Sequence, residues 1–384
     1  MKLLHLLPGF DPAMGGTLAF VKAWVKASEE EGIISHILAL QPEQEESLSE
    51  GYELIRIPSQ SGVYRYSSKL VPWLKEHLNE YDRVIIHGVW QYHTLGAWRV
   101  LRNHSIPYYL FPHGMLDDWF RRTYPLKHLK KCLYWWLFES KVLKGARAVI
   151  YTSEEEQRSS SKVFYPYEAK DKIVPLGIHD PRKEKSSDQE LFFKIYPSCI
   201  GKKIVLFLGR LHPKKGCDLL IRAFATALHH DRDWVLVIAG PEGEQGYEEK
   251  LSALAKEQIE DESNRVIWTG GVEGEMKWSL IRSAHCFCLP SHQENFGIAV
   301  VESLACGTPV LISDQINIWK TIERGKGGMV SSDTVEGMEG LLKKWSQISE
   351  QELNGYRLNA RKIFEENFRI EETVSKLNQL IAYS

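Results

Sequence analysis

Short apolar runs, each stopped by Gly, Pro or a polar pair, alternate with longer amphipathic stretches along almost the whole chain, and the alternation starts afresh midway. In the first half KLLHLLP leads into the helical stretch TLAFVKAWVKASEEEG. HILAL and ELIRIP follow, then a helical stretch near 67–80, VIIHG, another near 94–103, PYYLFPH, a long one within 117–144, ARAVIYTS and KIVPLG. The second half runs KKIVLFLG, a helix near 216–229, WVLVIAG, a helix near 246–259, RVIWTG, a helix near 274–284, HCFCLPS and PVLIS. Strand–helix alternation of this kind gives parallel sheets with helices on both faces. At 384 residues the chain is long enough for two domains. The expected fold class is therefore α/β, two doubly wound, Rossmann-like domains facing each other across a cleft. The boundaries expected are 1–178 for the first domain, a polar linker at 179–199 (HDPRKEKSSDQELFFKIYPSC), 200–365 for the second, and a C-terminal helix at 366–384 that crosses back to the first. The halves share an architecture but no sequence repeat.

In an open parallel sheet ligands collect at the C-terminal ends of the strands, so the residues after each strand are the ones to weigh. HCFCLPS (285–291) reads as a buried strand, and IAVVESLAC (298–306) as a helix ended by Gly307 and Pro309. Glu294 then lies in the loop after the strand, and Glu302 about one turn inside the helix. The start of that helix offers amides to an anion. Two carboxylates would repel a phosphate, but they suit hydroxyls on either side of one: the ribose diol, diphosphate and hexose hydroxyls of a nucleotide sugar. Surface Glu pairs at this spacing are common, so the weight comes from the other loops. After KKIVLFLG come Arg210, Lys214 and Lys215, a natural counter-charge for a diphosphate; the plain alternative is a solvated basic loop. Glycines recur at the same edge, at Gly15 and Gly16, Gly240, and Gly270 and Gly271, where backbone can approach a ligand closely. His113 ends PYYLFP, and His87, Trp90 and His93 follow VII; aromatic and imidazole groups there suit a sugar. A lone histidine is more often structural, and position is what makes these candidates.

Other chemistries are excluded. Asp231-Arg232-Asp233 resembles a metal–diphosphate motif but precedes its strand, at the wrong edge of the sheet. No Gly-x-Gly-x-x-Gly turn with a downstream acid occurs, and no Walker-type loop. A net charge of −2 gives no global attraction to nucleic acid. No apolar run approaches the roughly eighteen residues of a membrane span, and KLLHLLPGF runs into Asp11 and Pro12 with no small-residue cleavage site. The six cysteines, 132, 199, 217, 286, 288 and 306, show no zinc spacing and read as reduced thiols, which fits a cytoplasmic protein.

Together these residues resemble a retaining glycosyltransferase of family 4, with the two-domain fold called GT-B. The segments that carry the resemblance are GG at 15–16, HGVW at 87–90, PHGML at 112–116, YTSEEE at 151–156, VPLGI at 174–178, GRLHPKKG at 209–216 and SHQENFGIAVVESLACGTPV at 291–310. The resemblance implies donor binding in the second domain. Arg210 and Lys215 would hold the diphosphate, Glu302 the ribose, and Glu294 with the backbone of Asn295, Phe296, Gly297 and Ile298 the sugar. His113 and the Gly15–Gly16 loop would close over the donor from the first domain, with Gly240 also beside it; His87, Trp90 and His93 would lie on the acceptor side. Glu294, His113, Arg210 and Lys215 would form the catalytic set, with no metal or other cofactor. PHGML is similar to members that build bacterial surface polysaccharides. The implied reaction moves a hexose, from UDP-hexose first, to a glycan or polyprenyl-linked acceptor, with same-face attack giving retention. A nucleotide-sugar 2-epimerase on the same fold and a non-catalytic carbohydrate-binding protein are the alternatives. YWWLF replaces the polar segment that relatives often carry.

That aromatic stretch lies in the most lopsided charge run of the chain. Residues 121–150 hold eight Lys or Arg against one acid, Glu139. Leu126, Leu129, Leu133 and Leu137 share a helical face expected to pack inward. The remaining basic and aromatic face, within 121–144, suits peripheral contact with anionic lipid on the inner side of a membrane.

Overall fold

The computed structural model describes residues 1–11, 15–41, 52–117, 121, 125–183 and 190–383. Among them, two compact units form: Met1–His179 together with Ile370–Ser384, and Asp180–Arg369. Each is built on one parallel sheet. The first holds β1 (Lys2–Leu7), β2 (Ile34–Gln41), β3 (Glu53–Pro58), β4 (Arg83–His87), β5 (Tyr108–Phe111), β6 (Ala148–Tyr151) and β7 (Asp171–Ile173), in the order β3-β2-β1-β4-β5-β6-β7. The second holds β8 (Lys203–Leu208), β9 (Trp234–Ala239), β10 (Val266–Gly270), β11 (Cys286–Leu289), β12 (Val310–Ser313) and β13 (Gly328–Ser331), in the order β10-β9-β8-β11-β12-β13. The order in which the chain adds strands reverses once in each sheet, between β1 and β4 and between β8 and β11. Doubly wound sheets open their ligand crevice at that reversal.

Central strands such as β1, β8, β9 and β11 are almost wholly buried, as continuous apolar runs covered on both faces should be. Within the first unit the helix Ile370–Tyr383 packs on the helix Gly16–Glu30. Trp24 Nε1 donates to Asn378 Oδ1 at 3.1 Å, and Arg83 and the Tyr109 hydroxyl donate to the Ile381 carbonyl at 3.1 and 3.2 Å.

Two segments differ from the sequence reading. Part of the stretch expected to be a free linker is structural: Phe192, on the short helix Leu191–Ile195, is fully buried, and its amide donates to Ser279 Oγ at 2.9 Å. Asp180 pairs with Arg361, whose guanidinium also reaches the Ala305 carbonyl at 2.7 Å. The second difference is in the basic helix. Leu126, Leu129 and Leu133, expected inside, are 80, 68 and 60% exposed, and Leu137 and Trp136 are exposed beside them. The inward face belongs instead to Trp135, Glu139, Val142 and Leu143. Trp135 fixes this choice, since Nε1 donates to the Pro166 carbonyl at 2.8 Å and the ring stacks on Phe164 at 5.0 Å. A π-helical turn at Trp135–Glu139 joins the helices Pro125–Tyr134 and Ser140–Gly145. The four leucines do share one face, as their spacing predicts, but it is the outward one.

Candidate functional site

In the second unit the loops at the sheet's reversal point are clamped together. The loop after β8 turns through Pro213–Lys215 into the helix Cys217–Ala227, with His212 Nδ1 accepting from the Lys214 amide at 3.1 Å. The Lys214 carbonyl accepts from the His292 amide (2.9 Å) and from Ser291 Oγ (3.0 Å), both in the loop after β11. Gly216 is required at the join: its φ is +66°, and a Cβ would meet the Pro290 carbonyl oxygen at 2.2 Å. This clamp brings Lys215 and Glu294 into a direct ion pair, each side chain about a fifth exposed (22 and 19%). Glu294 itself is pinned through its backbone, its amide donating to the Gln315 carbonyl and its carbonyl accepting from Asn317, both at 3.1 Å. Asn295 Oδ1 accepts from Asn317 Nδ2 at 3.1 Å, and Phe296 is buried against Phe368. Gly297, at φ +72°, then opens the helix Ile298–Cys306. Its first turn carries amides with no intrahelical partner, which suit an anion.

Glu302 lies on that helix, 13% exposed, with Oε1 2.7 Å from Lys277 Nζ. Burial pushes its carboxyl upward, and Lys277 opposes the shift. Arg210 stands exposed at the end of β8 and makes no hydrogen bond or ion pair among the described residues. Gly240 has a local reason to be glycine. Its φ is +145°, and a Cβ would lie 1.9 Å from the Gly209 carbonyl oxygen. Asp231 and Asp233 precede β9, at the opposite edge, and among the described residues no cluster of His, Cys, Asp and Glu is arranged to hold a metal.

In the first unit the candidates also gather at the reversal point. Gly15, at φ +56°, precedes the helix Gly16–Glu30 after β1. His87 ends β4, and His113 follows β5 at φ +51° with Gly114 at +74°. This turn is held by Glu156, which is buried and accepts from the Gly114 amide, the Thr152 amide and the Thr152 hydroxyl, each at 2.7 Å. The three acceptor-side candidates have structural work and offer no free polar atom at the surface. Both ring nitrogens of His87 are engaged by other histidines, and His93 is fully buried with Nε2 2.8 Å from the His87 carbonyl. Trp90, at φ +76°, directs Nε1 to the Met115 carbonyl (2.9 Å) and its amide to Glu139 Oε1 (2.9 Å).

Sequence reasoning missed Lys277, Glu139, Glu156 and His5. Lys277 sits inside the helix Gly274–Ser283, not in a strand-end loop, so a tally of loops passes over it. Glu156 lies in YTSEEE, where three successive acids hide the one that turns inward.

The pattern of glycosyl transferase 4-like domains matches residues 15–177, and that of glycosyl transferases group 1 matches residues 188–366. The chain belongs to the group 1, family 4 glycosyltransferases. A D-inositol 3-phosphate glycosyltransferase of Kribbella flavida is 30% identical over 54% of this chain and 46% of its own length. The chain spans less than half the length of the first curated relatives it matches. A GDP-mannose:cellobiosyl-diphosphopolyprenol alpha-mannosyltransferase of Xanthomonas oryzae pv. oryzae is 25% identical over 88% of this chain and 85% of its own. Among solved structures, HepE of Anabaena in complex with UDP and glucose aligns over the whole of both chains with a TM-score of 0.78 at 17% identity. That likeness establishes the fold, which is GT-B. No helix among the described residues is long and apolar enough to cross a membrane.

Proposed function

We propose that the chain transfers a hexose from a nucleotide sugar to a glycan or polyprenyl-linked acceptor, with retention at the anomeric carbon. The observation that carries this reading is the joining of Lys215 and Glu294 at the reversal point of the second sheet. One supplies positive charge to a leaving diphosphate, and the other a carboxylate for sugar hydroxyls and for the positive charge that develops on the sugar. Arg210 adds an exposed guanidinium, the first turn of Ile298–Cys306 adds amides, and Glu302 with Lys277 suits the ribose hydroxyls. The departing phosphate would take the acceptor proton as the new bond forms on the same face. The donor tested first is UDP-hexose, in line with the ligands of HepE. GDP-mannose follows because the Xanthomonas relative is named for it. The test is release of free UDP or GDP from a panel of nucleotide sugars with and without lipid-linked glycans. Release that depends on an acceptor supports transfer; release of neither nucleotide with any acceptor refutes it, and conversion of the donor without any acceptor indicates an epimerase.

A lipid-linked acceptor gives the basic helix a purpose. Its outward face combines Leu126, Leu129, Leu133, Trp136 and Leu137 with Lys127, Lys130 and Lys141, an apolar stripe flanked by ammonium groups, while Lys144 is paired with Glu168 at 2.6 Å. This pattern fits anionic lipid, each lysine near the surface contributing about 1 kcal/mol. Lys131 does not belong to that face, since its Nζ lies over the Trp90 ring at 4.8 Å. Sedimentation with phosphatidylglycerol liposomes should show salt-sensitive binding that falls when Lys127, Lys130 and Lys141 become Glu, and also when Leu129 and Leu133 become Ser. An absence of binding at low salt would remove the lipid contact from the account.

A further inference from the structure

Three histidines form a hydrogen-bonded ladder that rises diagonally across the first sheet. His5 on β1 stands opposite Ile85, and His87 on β4 stands opposite Phe111. Each histidine is therefore two residues further along the next strand, so all three rings emerge on one face. That face is covered by Trp24, whose ring meets His5 edge-on at 4.8 Å, and by Phe20. Neighbouring imidazoles stack with centroids 5.3 Å apart. His5 Nδ1 is 3.0 Å from His87 Nε2, and His87 Nδ1 is 3.0 Å from His113 Nε2. His5 and His87 are fully buried. Burial holds His5 and His113 at about 3 and His87 well below the ordinary imidazole range, so all three are neutral at physiological pH.

A neutral imidazole carries one N–H, so the protons of this ladder can run in only two directions. If they run inward from His113, the proton of His5 ends on Nε2, a buried nitrogen with no partner. If they run outward from His5, that same nitrogen carries only a lone pair. An orphaned buried donor is rarer and costlier than an under-used acceptor, so the outward direction wins. His113 must then accept at Nε2 and carry its proton on Nδ1, which has no partner among the described residues.

We propose that His5 and His87 are positioning residues that lock His113 as the Nδ1–H tautomer, fixing it as a hydrogen-bond donor to a substrate oxygen at the C-terminal edge of the first sheet. His113 in this state cannot serve as a general base through Nδ1. Only the identity of that oxygen, a sugar hydroxyl or a phosphate, rests on the transferase reading.

Long-range 1H–15N correlation spectra of the full chain with 15N-labelled histidine report each tautomer directly, without donor or acceptor. At pH 7.5, His5, His87 and His113 should give the Nδ1–H pattern, while His93, donating to the His87 carbonyl, should give Nε2–H and serve as an internal reference. His113 as Nε2–H, or as imidazolium, overturns the proposal. Replacing His5 tests the direction of the lock. His5→Asn keeps an N–H near the Nδ1 position and should retain both the His113 tautomer and turnover. His5→Leu leaves His87 Nε2 facing carbon, where a lone pair again costs less than an orphaned N–H, so His113 should stay Nδ1–H while the ladder loses one hydrogen bond and kcat falls by up to about tenfold with nucleotide affinity unchanged. A His5→Leu protein whose His113 turns to Nε2–H contradicts the rule that sets the direction. Should either variant fail to fold, the wild-type spectrum alone decides.

Discussion

The ion pair between Lys215 and Glu294 predicts opposite effects for its two members on nucleotide binding. Lys215→Ala removes a charge-assisted contact to the diphosphate, which contributes roughly 1.5–3 kcal/mol. Affinity for free UDP or GDP should fall by about ten- to a hundredfold. Glu294→Gln should do the reverse. A nucleotide without its sugar has no use for the Glu294 carboxylate, and the pair must loosen before the ammonium group turns fully to phosphate. Both side chains keep about a fifth of their surface in water (22 and 19%), so the pair contributes about 1 kcal/mol at most. Glu294→Gln should therefore tighten the free nucleotide by up to about fivefold, while lowering turnover through its lost contact with the sugar. Isothermal titration of UDP and GDP into wild type, both single variants and the double variant closes the cycle. The gain from Glu294→Gln should vanish once Lys215 is Ala. A tenfold loss of nucleotide affinity in Glu294→Gln, or an equal gain in both backgrounds, would refute competition for Lys215.

Other expectations follow from single sites. Glu139 is fully buried and its carboxyl is pushed from 4.5 to about 7 by burial. Thr94 Oγ1 lies 2.8 Å from the Gln91 carbonyl oxygen and 3.2 Å from Glu139 Oε2; with its one proton donated over the shorter contact, a neutral Glu139 completes the set by donating to the hydroxyl. The folded state then binds a proton that the unfolded chain has released, and stability falls as pH rises from about 4.5 through 7, by on the order of 3 kcal/mol. Glu139→Gln should remove that fall, so denaturant midpoints of variant and wild type should separate between about pH 4.5 and 7; curves that run parallel across that window would refute the shift. Gly240→Ala should lower the thermal midpoint markedly, because overpacking costs roughly 1–3 kcal/mol and its Cβ would sit 1.9 Å from the Gly209 oxygen; an unchanged midpoint would show that β8 and β9 part easily. Transfer activity should survive EDTA, with Arg210 and Lys215 as the counter-charge; loss on chelation restored by magnesium would force a search for carboxylate ligands.

Most strands could be read from the sequence because buried parallel strands are uninterrupted apolar runs: β8 and β9 lie where KKIVLFLG and WVLVIAG put them. β13 escaped because GKGGMV reads as a turn. Its Gly328 is there because strands crowd, a Cβ being 1.8 Å from the Val310 oxygen. The helices between Ser313 and the C-terminal one were passed over along with it. At the candidate site, residues in strand-end loops were legible from topology alone. Their partners were not, because Lys277, Glu139 and Glu156 act from helices that the fold, not the spacing, brings to the loops. The leucines of the basic helix were misplaced for a related reason: periodicity gives a stripe, and only the anchoring of Trp135 decides which stripe faces in.

Amide hydrogen exchange of the full chain with and without saturating UDP, and separately GDP, tests the central claim most directly. Nucleotide should slow exchange in the loop 209–216 and from Ser291 through the first turn of the helix Ile298–Cys306, and Lys215→Ala should abolish the effect at the same concentration. Protection by either nucleotide confined to other segments, or none with both, would contradict a nucleotide-sugar site at the reversal point of the second sheet.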